Sequence, residues 1–310
     1  FDLGGSDRKC AAVIDGEVVH SEKVEWSPYF ESDPRYHHDG IVDSIERAAA
    51  HLPRVDAIGG SAAGVYVDNE PRVGSLFRGV SDDGFEREIR PVFKKIQREM
   101  NGVPFEVAND GEVTALAASL AFGTTNILGI AMGTSLAAGY CDGDGRITGQ
   151  LNELAFVPVD YRDDAPVDEW SGDIGCGVQY FSQQAVARLA PAAGLEHPDH
   201  SPFAERLVDI QHLMERGDER ALGIYESIGV YLGYSIAWFA RWYEIENLLT
   251  LGRVTSGVAG ELIIESAMEV VRDEFPELAD RIRMQAPDEQ FKRYGQAIAA
   301  ASLPLFDPEL

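Results

Sequence analysis

The chain opens with short apolar runs that are separated by turn-forming residues. The runs Phe1–Gly4, Lys9–Ile14 and Glu17–Trp26 have the length and composition of strands. Gly5–Asp7 separates the first two runs, and Asp15-Gly16, a strong signal for a two-residue hairpin, separates the second from the third. The pattern therefore predicts a β-meander at the start of the chain.

From residue 27 the pattern changes to helices that alternate with short strands. Residues 27–39 are polar and predict a loop. Apolar positions at helical spacing predict helices near Ile41–His51 and over Phe85–Met100, with a kink or a restart at Pro91. The other elements predicted in this part are two strands and a helix, namely Ala57–Ile58, Phe105–Ala108 and Glu112–Phe122.

The opening pattern returns in the second half of the chain. Strand Asn126–Met132, the turn Gly133-Thr134-Ser135 and strand Leu136–Cys141 repeat the order of strand, glycine-and-hydroxyl turn, and strand. A long irregular segment over 151–175 comes next. The elements predicted after it are Gly177–Ala190, Pro202–Arg216, Arg220–Tyr243, Gly260–Phe275 and Phe291–Leu303 as helices and Leu248–Leu251 and Arg281–Gln285 as strands. Strands followed by helices, occurring twice, predict two related α/β lobes with mixed sheets.

Composition limits the classes of function. At 310 residues, 45% of them hydrophobic, the chain is long enough for two lobes with normal cores. Its formal net charge of −26 argues against binding to nucleic acid or to an anionic membrane surface, because both are polyanions. The acidity is typical of a solubility adaptation.

Cysteine usage and hydropathy indicate the compartment. Cys10, Cys141 and Cys176 are far apart and form no C-x-x-C pair, which favours free thiols in a reducing environment. Ser227–Ala240 lacks charge for only 14 residues, which is short for a membrane span. No signal peptide is recognisable, so we expect a cytoplasmic protein; because the chain begins at Phe1, we also expect residues upstream of it.

Asp2 and the following Gly4-Gly5-Ser6 are the first candidates for chemistry. Two glycines let the backbone approach a ligand closely and present successive N–H groups to an anion. A carboxylate beside such a turn can hold hydrated Mg²⁺, which prefers carboxylate, water and phosphate oxygens. This combination favours a nucleotide-dependent phosphotransferase; the alternative is a glycine turn that only connects two strands.

Several motifs, in this order, resemble the ROK family of sugar kinases and related regulators, within the actin-like ATPase superfamily. The segments that carry the resemblance are Asp2–Ser6, Ala108–Asp110, Met132–Ser135, Gly149–Glu153, Gly175–Ser182 and Leu251–Val254. They resemble two phosphate motifs, a catalytic Asn-Asp segment, parts of the sugar site and the start of the adenosine motif. The resemblance covers most of the chain. It implies an α/β fold of two actin-like ATPase (ribonuclease H-like) lobes, with mixed sheets, flanking helices and a cleft between the lobes.

The resemblance also implies a role for each matching residue. Asp110 would be the general base that removes the proton of a sugar hydroxyl as it attacks the γ-phosphate of ATP; an alternative is that Asp110 caps the helix from Glu112. The residues expected at the nucleotide are Asp2, Gly4, Gly5, Ser6, Lys9, Gly133, Thr134, Ser135 and Gly252, with Asp2 also holding Mg²⁺ through water. The residues expected at the substrate are Ser61, Gly64, Asn109, Glu153 and Asp173.

The chain departs from the ROK pattern around the acceptor. Phe156 stands where the family has His, and Val178 where it has a sugar-binding Glu. Of the zinc-binding cysteines only Cys176 remains, so no zinc site is expected. Ala63 replaces the family's Pro, and Trp170 is a candidate wall of the acceptor pocket. The acceptor is therefore expected to be atypical.

These observations together predict an ATP- and Mg²⁺-dependent kinase that phosphorylates a hydroxyl of a sugar or sugar-like polyol. The small lobe is predicted over 1–112 with a closing segment over 291–310, and the large lobe over 113–290. The expected partner is a small-molecule substrate, with no nucleic acid or membrane, and the resemblance leaves room for a homodimer. The alternative is a regulatory or sensor protein of the same fold, which binds a sugar without turnover.

Overall fold

The computed structural model describes residues 1–169, 171–198, 200–285 and 295–305. Contacts divide the chain into two compact units: Phe1–Gly123 with Asp288–Leu310, called unit 1, and Thr124–Pro287, called unit 2. The predicted boundary at residue 112 falls inside a helix of unit 1. Over the described ranges, no helix is both long and apolar enough to cross a membrane.

Unit 1 is built on a five-stranded mixed sheet in the order β3-β2-β1-β4-β7. The strands of unit 1 are β1 Asp2–Leu3, β2 Asp7–Ile14, β3 Glu17–Glu25, β4 Ile58–Ala62, β5 Val65–Val67, β6 Glu70–Val73 and β7 Phe105–Asn109, of which β5 and β6 form a separate hairpin. The antiparallel β1–β2–β3 meander confirms the prediction. Strands β4 and β7 run parallel to β1, so the carboxyl ends of these three strands lie at one edge of the sheet.

Side chains cap the N-termini of three of the first four helices of unit 1. These four helices are α1 Pro34–Ala49, α2 Asp82–Gly84, α3 Val92–Glu99 and α4 Asp110–Phe122, with a π-helical turn at Phe85–Ile89, and the capped ones are α1, α2 and α4. Helix α1 begins earlier than predicted because the Asp33 side chain accepts a hydrogen bond from the Arg35 N–H and Pro34 suits the first helical position. The interruption at Pro91 confirms the predicted restart.

Unit 2 contains a four-stranded sheet in the order β11-β10-β8-β9. Its strands are β8 Ile127–Met132, β9 Leu136–Cys141, β10 Asn247–Leu251 and β11 Arg283–Gln285. Strands β8 and β9 form the predicted antiparallel hairpin, and β10 runs parallel to both β8 and β11. This sheet therefore also has a glycine turn at the carboxyl edge of a parallel pair.

Helices α5 Gln183–Ala192, α6 Phe203–Glu215, α7 Glu219–Phe239, α8 Val258–Glu274 and α9 Pro276–Ala279 complete unit 2. Helices α7 and α8 pack closely because α7 presents glycines to α8. A Cβ on Gly229 would lie 2.6 Å from the Cβ of Ser266, and a Cβ on Gly233 would lie 2.6 Å from that of Val270. The core of unit 2 is therefore held at close backbone distance along this helix pair.

The chain then returns to unit 1 with α10, Gln296–Ser302; the start of the predicted closing helix, 291–294, lies outside the described residues. Helix α10 explains why β4 consists of small residues. A Cβ on Gly59 would lie 1.6 Å from the carbonyl oxygen of Ala300, and one on Gly60 would lie 2.2 Å from the ring of Phe1. The strand predicted over Ala57–Ile58 thus extends through these glycines to Ala62 and is buried inside the sheet.

Candidate active site

The register of the unit 1 sheet brings three chain segments to the same level. Leu3 pairs with Ala62, and Ala62 pairs with Asn109. The residues that follow, Gly4 and Asp110, therefore leave the same edge of the sheet. Because neighbouring strands lie about 4.8 Å apart, segments that follow β1 and β7 are separated by about 10 Å. Residues predicted for phosphate binding and for proton removal are thus neighbours in unit 1.

Hydrogen bonds fix the first glycine turn. The Gly4 N–H donates to the Asp7 carbonyl at 2.9 Å. The Trp26 indole Nε1–H donates to the Gly4 carbonyl at 2.7 Å, and the Trp26 backbone N–H donates to the Ser6 carbonyl at 3.2 Å. The sequence analysis did not include Trp26 among the site residues. Its indole N–H, at the end of the third meander strand, was the signal that could have indicated a contact with the turn.

Lys9 and Asp2 form an ion pair beside this turn. The Lys9 Nζ lies 3.1 Å from the Asp2 Oδ2. Partial burial opposes the charge on Lys9, but the carboxylates of Asp2, Asp7 and Asp110 outweigh it and raise the pKa of Lys9. Lys9 therefore carries a full positive charge at neutral pH. The Asp2 Oδ1 takes part in no hydrogen bond or ion pair with the described residues, which fits a carboxylate that holds hydrated Mg²⁺.

Asn109 and Asp110 occupy the junction between β7 and α4. Asn109 is the N-cap: its Oδ1 accepts from the Gly111 N–H at 2.8 Å, and its Nδ2 donates to the Gly64 carbonyl at 2.7 Å. Asp110 is the first residue of α4, and its Oδ1 lies 3.0 Å from the same Gly111 N–H. The alternative prediction, in which Asp110 caps a helix from Glu112, is wrong, because the extended backbone and amide of Asn109 perform that function.

Ser61 lies in the buried centre of the same sheet. Its Oγ accepts from the Gln296 Nε2 at 2.8 Å. The same amide nitrogen donates to the backbone carbonyl of Asp110 at 3.0 Å, and the Gln296 Oε1 accepts from the Thr114 hydroxyl at 2.9 Å. Gln296 thus joins β4 to the start of α4. Sequence reasoning missed it, because one Gln on a helix carries no local signal; contact of Ser61 with substrate stays a prediction.

The second glycine turn has a similar setting in unit 2. The Gly133 N–H donates to the Ser135 carbonyl at 2.9 Å, and Thr134 and Ser135 are exposed. Leu251 pairs with Ala131, so Gly252 lies beside Met132, which precedes the turn. A Cβ on Gly252, whose φ is +103°, would lie 2.3 Å from the Met132 carbonyl oxygen. The predicted nucleotide-binding residues of unit 2 therefore lie at one sheet edge.

The predicted substrate residues of unit 2 lie in its irregular segment. Glu153 is half-buried, burial raises the pKa of its carboxyl, and that carboxyl has no hydrogen-bond partner within the described ranges. Asp173 is exposed, and its N–H donates to the Ser171 Oγ at 3.1 Å. The buried carboxylate of Asp168 accepts from the Ser171 N–H at 2.8 Å and orders this loop. Trp170 lies outside the described residues.

Comparisons with known proteins identify the fold. No family model matches the chain. The glucokinase of Halalkalibacterium halodurans is 24% identical over 291 residues, which cover 85% of this chain and 82% of that protein. The structure of the ROK hexokinase from Thermus thermophilus matches with a TM-score of 0.72 and 20% identity, over 97% of this chain and 95% of that one. The chain has the ROK fold. The predicted fold class is confirmed.

The ROK fold is found in both enzymes and regulators. The ROK family glucokinase from Streptomyces griseus, solved in complex with glucose and AMPPNP, matches with a TM-score of 0.65 and 22% identity over 97% of both chains. A ROK family transcriptional regulator, a homologue of the E. coli MLC protein, matches with a TM-score of 0.72 and 20% identity over 98% of this chain and 77% of that one. The fold is therefore compatible with an enzyme and with a regulator, and the residues of the site have to distinguish the two functions.

Two residues of this chain are apolar where the ROK pattern has His or Glu, and both belong to the core of unit 2. Val178 is buried, and Phe156 packs partly buried against the same cluster. Cys176 is fully buried, and burial raises the pKa of its thiol. Among the residues that the structure describes, no group of three or more His, Cys, Asp or Glu side chains could hold a metal ion.

Proposed function

We propose that this protein is an ATP-dependent kinase that transfers a phosphoryl group to a hydroxyl of a sugar or sugar-like polyol. The observation that carries the proposal is the common edge in unit 1. There the Gly4-Gly5 turn and Asp110 follow the parallel strands β1 and β7 in register, and the Lys9–Asp2 ion pair joins β1 to the antiparallel strand β2 beside the turn. The similarity to a curated glucokinase and to ROK kinase structures supports the same class of reaction.

Each group in unit 1 has a part in this chemistry. The N–H groups of Gly5 and Ser6 and the Lys9 ammonium neutralise phosphate charge, and Asp110 accepts the proton of the attacking hydroxyl. Asp2 holds Mg²⁺ through water, and the ion supplies further charge neutralisation at the phosphates. Asn109 keeps one amide N–H for a substrate hydroxyl after its bond to Gly64. Positioning and electrostatics therefore carry the reaction.

In unit 2 the exposed Gly133-Thr134-Ser135 turn and Gly252 bind the nucleotide. Glu153 accepts hydrogen bonds from the acceptor's hydroxyl groups. A carboxylate that has no hydrogen-bond partner among the described residues, and whose pKa is raised by burial, gains most from a ligand that donates hydrogen bonds to it. Asp173 is a further candidate for substrate contact.

The test is a panel of hexoses, amino sugars, nucleosides and cyclitols, assayed for ADP release with MgATP. We expect acceptor-dependent release by the wild-type protein, and a reduction of about 10²–10⁴-fold in Asp110→Asn. Binding of MgATP should remain within about threefold in that variant, because the glycine turns are unchanged. Asp82→Asn, an exposed acidic residue elsewhere in unit 1, is the matched control and should keep full activity. Acceptor-dependent release that survives Asp110→Asn would contradict the assignment of the base.

A sugar sensor without turnover is the second candidate. The buried Val178 and the packed Phe156, at positions where the ROK pattern has polar sugar ligands, favour it, as does the similarity to a ROK regulator. Calorimetric titration with the same panel separates the two functions. Tight binding of a sugar with no ADP release from any acceptor would establish the sensor.

A further inference from the structure

The ring of Tyr29 lies over the first glycine turn. A Cβ on Gly5 would lie 2.1 Å from the Tyr29 hydroxyl oxygen and 2.4 Å from its Cζ. Glycine at this position leaves room for the ring, because a Cβ there would force the Tyr29 side chain to move. Over the ranges that the structure describes, the Tyr29 hydroxyl has no hydrogen-bond partner. A hydroxyl donor thus stands beside the backbone that is proposed to bind phosphate.

Arg78 forms a cluster with the rings of Tyr29 and Phe30. Its Cζ is 4.2 Å from the centroid of the Tyr29 ring and 5.3 Å from that of Phe30. Aromatic faces attract a guanidinium and hold it in place. Phe30 is 83% exposed, so the cluster is open to solvent. The guanidinium is therefore held against the ring that covers the turn, and it is accessible to a ligand.

The positive charge of Arg78 is not neutralised by any carboxylate in an ion pair within the part of the chain that the structure describes. Arg78 forms no ion pair there, although the protein has 52 acidic residues against 26 Lys and Arg. Lys9, by contrast, is paired with Asp2. In so acidic a chain, a guanidinium that is held by two rings and forms no ion pair with the described residues is available to an external anion. A phosphate matches its planar set of donors.

We propose that the Tyr29 hydroxyl and the Arg78 guanidinium complete the phosphate site, by donating hydrogen bonds to phosphate oxygens of a nucleotide held at the Gly4-Gly5 turn. This rests on the proposed function in one respect, namely that the turn binds nucleotide. It adds a cation and a neutral donor from two loops that the motifs did not include. Arg78 binds the phosphate as a planar donor, and Tyr29 both donates and fixes the position of Arg78.

The test is calorimetric titration with MgATP and with AMP. Arg78→Gln should weaken MgATP binding about tenfold, which is the effect of losing one charge-assisted contact. AMP, which lacks the terminal phosphates, should bind within about twofold of wild type. Arg78→Lys should lose less than Arg78→Gln, since the charge remains but the planar donors do not. Tyr29→Phe should weaken MgATP about threefold.

Two controls match the chemistry of these changes. Arg98→Gln removes an exposed guanidinium from unit 1, and Tyr161→Phe removes a hydroxyl from a tyrosine that is 73% exposed in unit 2. Both should bind MgATP as the wild type does. Thermal unfolding of every variant shows whether the fold is kept.

Three outcomes are decisive. Wild-type affinity for MgATP in Arg78→Gln, or an equal loss for MgATP and AMP, would overturn the inference and leave the kinase proposal standing. A wild-type protein that binds MgATP but phosphorylates no acceptor would overturn the kinase proposal only, because the titration needs no turnover. A wild-type protein that does not bind MgATP would overturn both.

Discussion

Gly252→Ala tests the assignment of the second nucleotide turn most directly. Gly252 has a φ of +103° and a ψ of 173°, a backbone region that is almost restricted to glycine. A Cβ there would lie 2.3 Å from the carbonyl oxygen, 2.6 Å from the carbonyl carbon and 2.9 Å from the nitrogen of Met132. These are backbone atoms of β8, so no side-chain rotation relieves the overlap. Strands β8 and β10 would have to separate where the Gly133 turn begins.

The magnitude follows from two costs. Backbone strain of this kind costs about 1–3 kcal/mol, and overpacking against fixed atoms costs about 1–3 kcal/mol. Gly252→Ala should therefore lower the free energy of unfolding of unit 2 by about 4 kcal/mol. Gly217→Ala is the matched control, because Gly217 also has a positive φ, +76°, but a Cβ there meets nothing within 4 Å. The control should lose only the strain, about 1–2 kcal/mol.

Native-state hydrogen exchange measures these changes within unit 2, with the amides of β8 and β10 as reporters. The Kd for MgATP should also rise at least about tenfold in Gly252→Ala and stay unchanged in Gly217→Ala, since only the former displaces the turn. Equal loss of exchange protection in the two variants, with equal nucleotide affinity, would refute the argument that close backbone contact at Gly252 shapes the turn.

Three further predictions concern single side chains. Because burial raises the pKa of Glu153, the folded protein holds this proton more tightly than the unfolded chain does, and stability is lost as the pH rises past the unfolded pKa. Glu153→Gln should therefore raise the thermal midpoint at about pH 7 but not at about pH 3.5, and equal shifts at both would contradict the prediction. Trp26→Phe keeps an aromatic ring but loses the bond to the Gly4 carbonyl, which should cost about 1 kcal/mol in urea unfolding and weaken MgATP binding severalfold. Asn109→Ala loses both the helix cap and the bond to Gly64, and should cost about 2 kcal/mol, whereas Asn109→Ser keeps the cap and should recover about half; identical unfolding curves would refute this.

Local patterns predicted the local structure of those parts of the candidate site that are continuous in sequence. The turns at Gly4–Ser6 and Gly133–Ser135 and the junction at Asn109-Asp110 were predicted because glycine, hydroxyl and Asx residues mark strand ends. The repeated order of strand, turn and strand predicted two α/β lobes. These signals need only neighbouring residues, so the sequence alone carries them.

Contacts between distant segments could not be predicted in this way. The strand was predicted over Ala57–Ile58 alone, and only the approach of Ala300 and the Phe1 ring explains Gly59 and Gly60 in β4. Likewise, Gln296 bonds to Ser61 across 235 positions. Such a contact depends on tertiary packing and leaves no periodic trace.

The three hydrogen bonds of Gln296 have a consequence for biosynthesis. Unit 1 is interrupted by unit 2, so the ribosome makes Asp110 well before it makes α10. Gln296 lies 186 positions after Asp110. At about 5–20 residues per second, its synthesis is delayed by about 9–37 s. During that interval the nascent chain carries the proposed proton acceptor without the amide that anchors its peptide group. A partly translated chain therefore lacks part of the proposed catalytic edge until α10 docks.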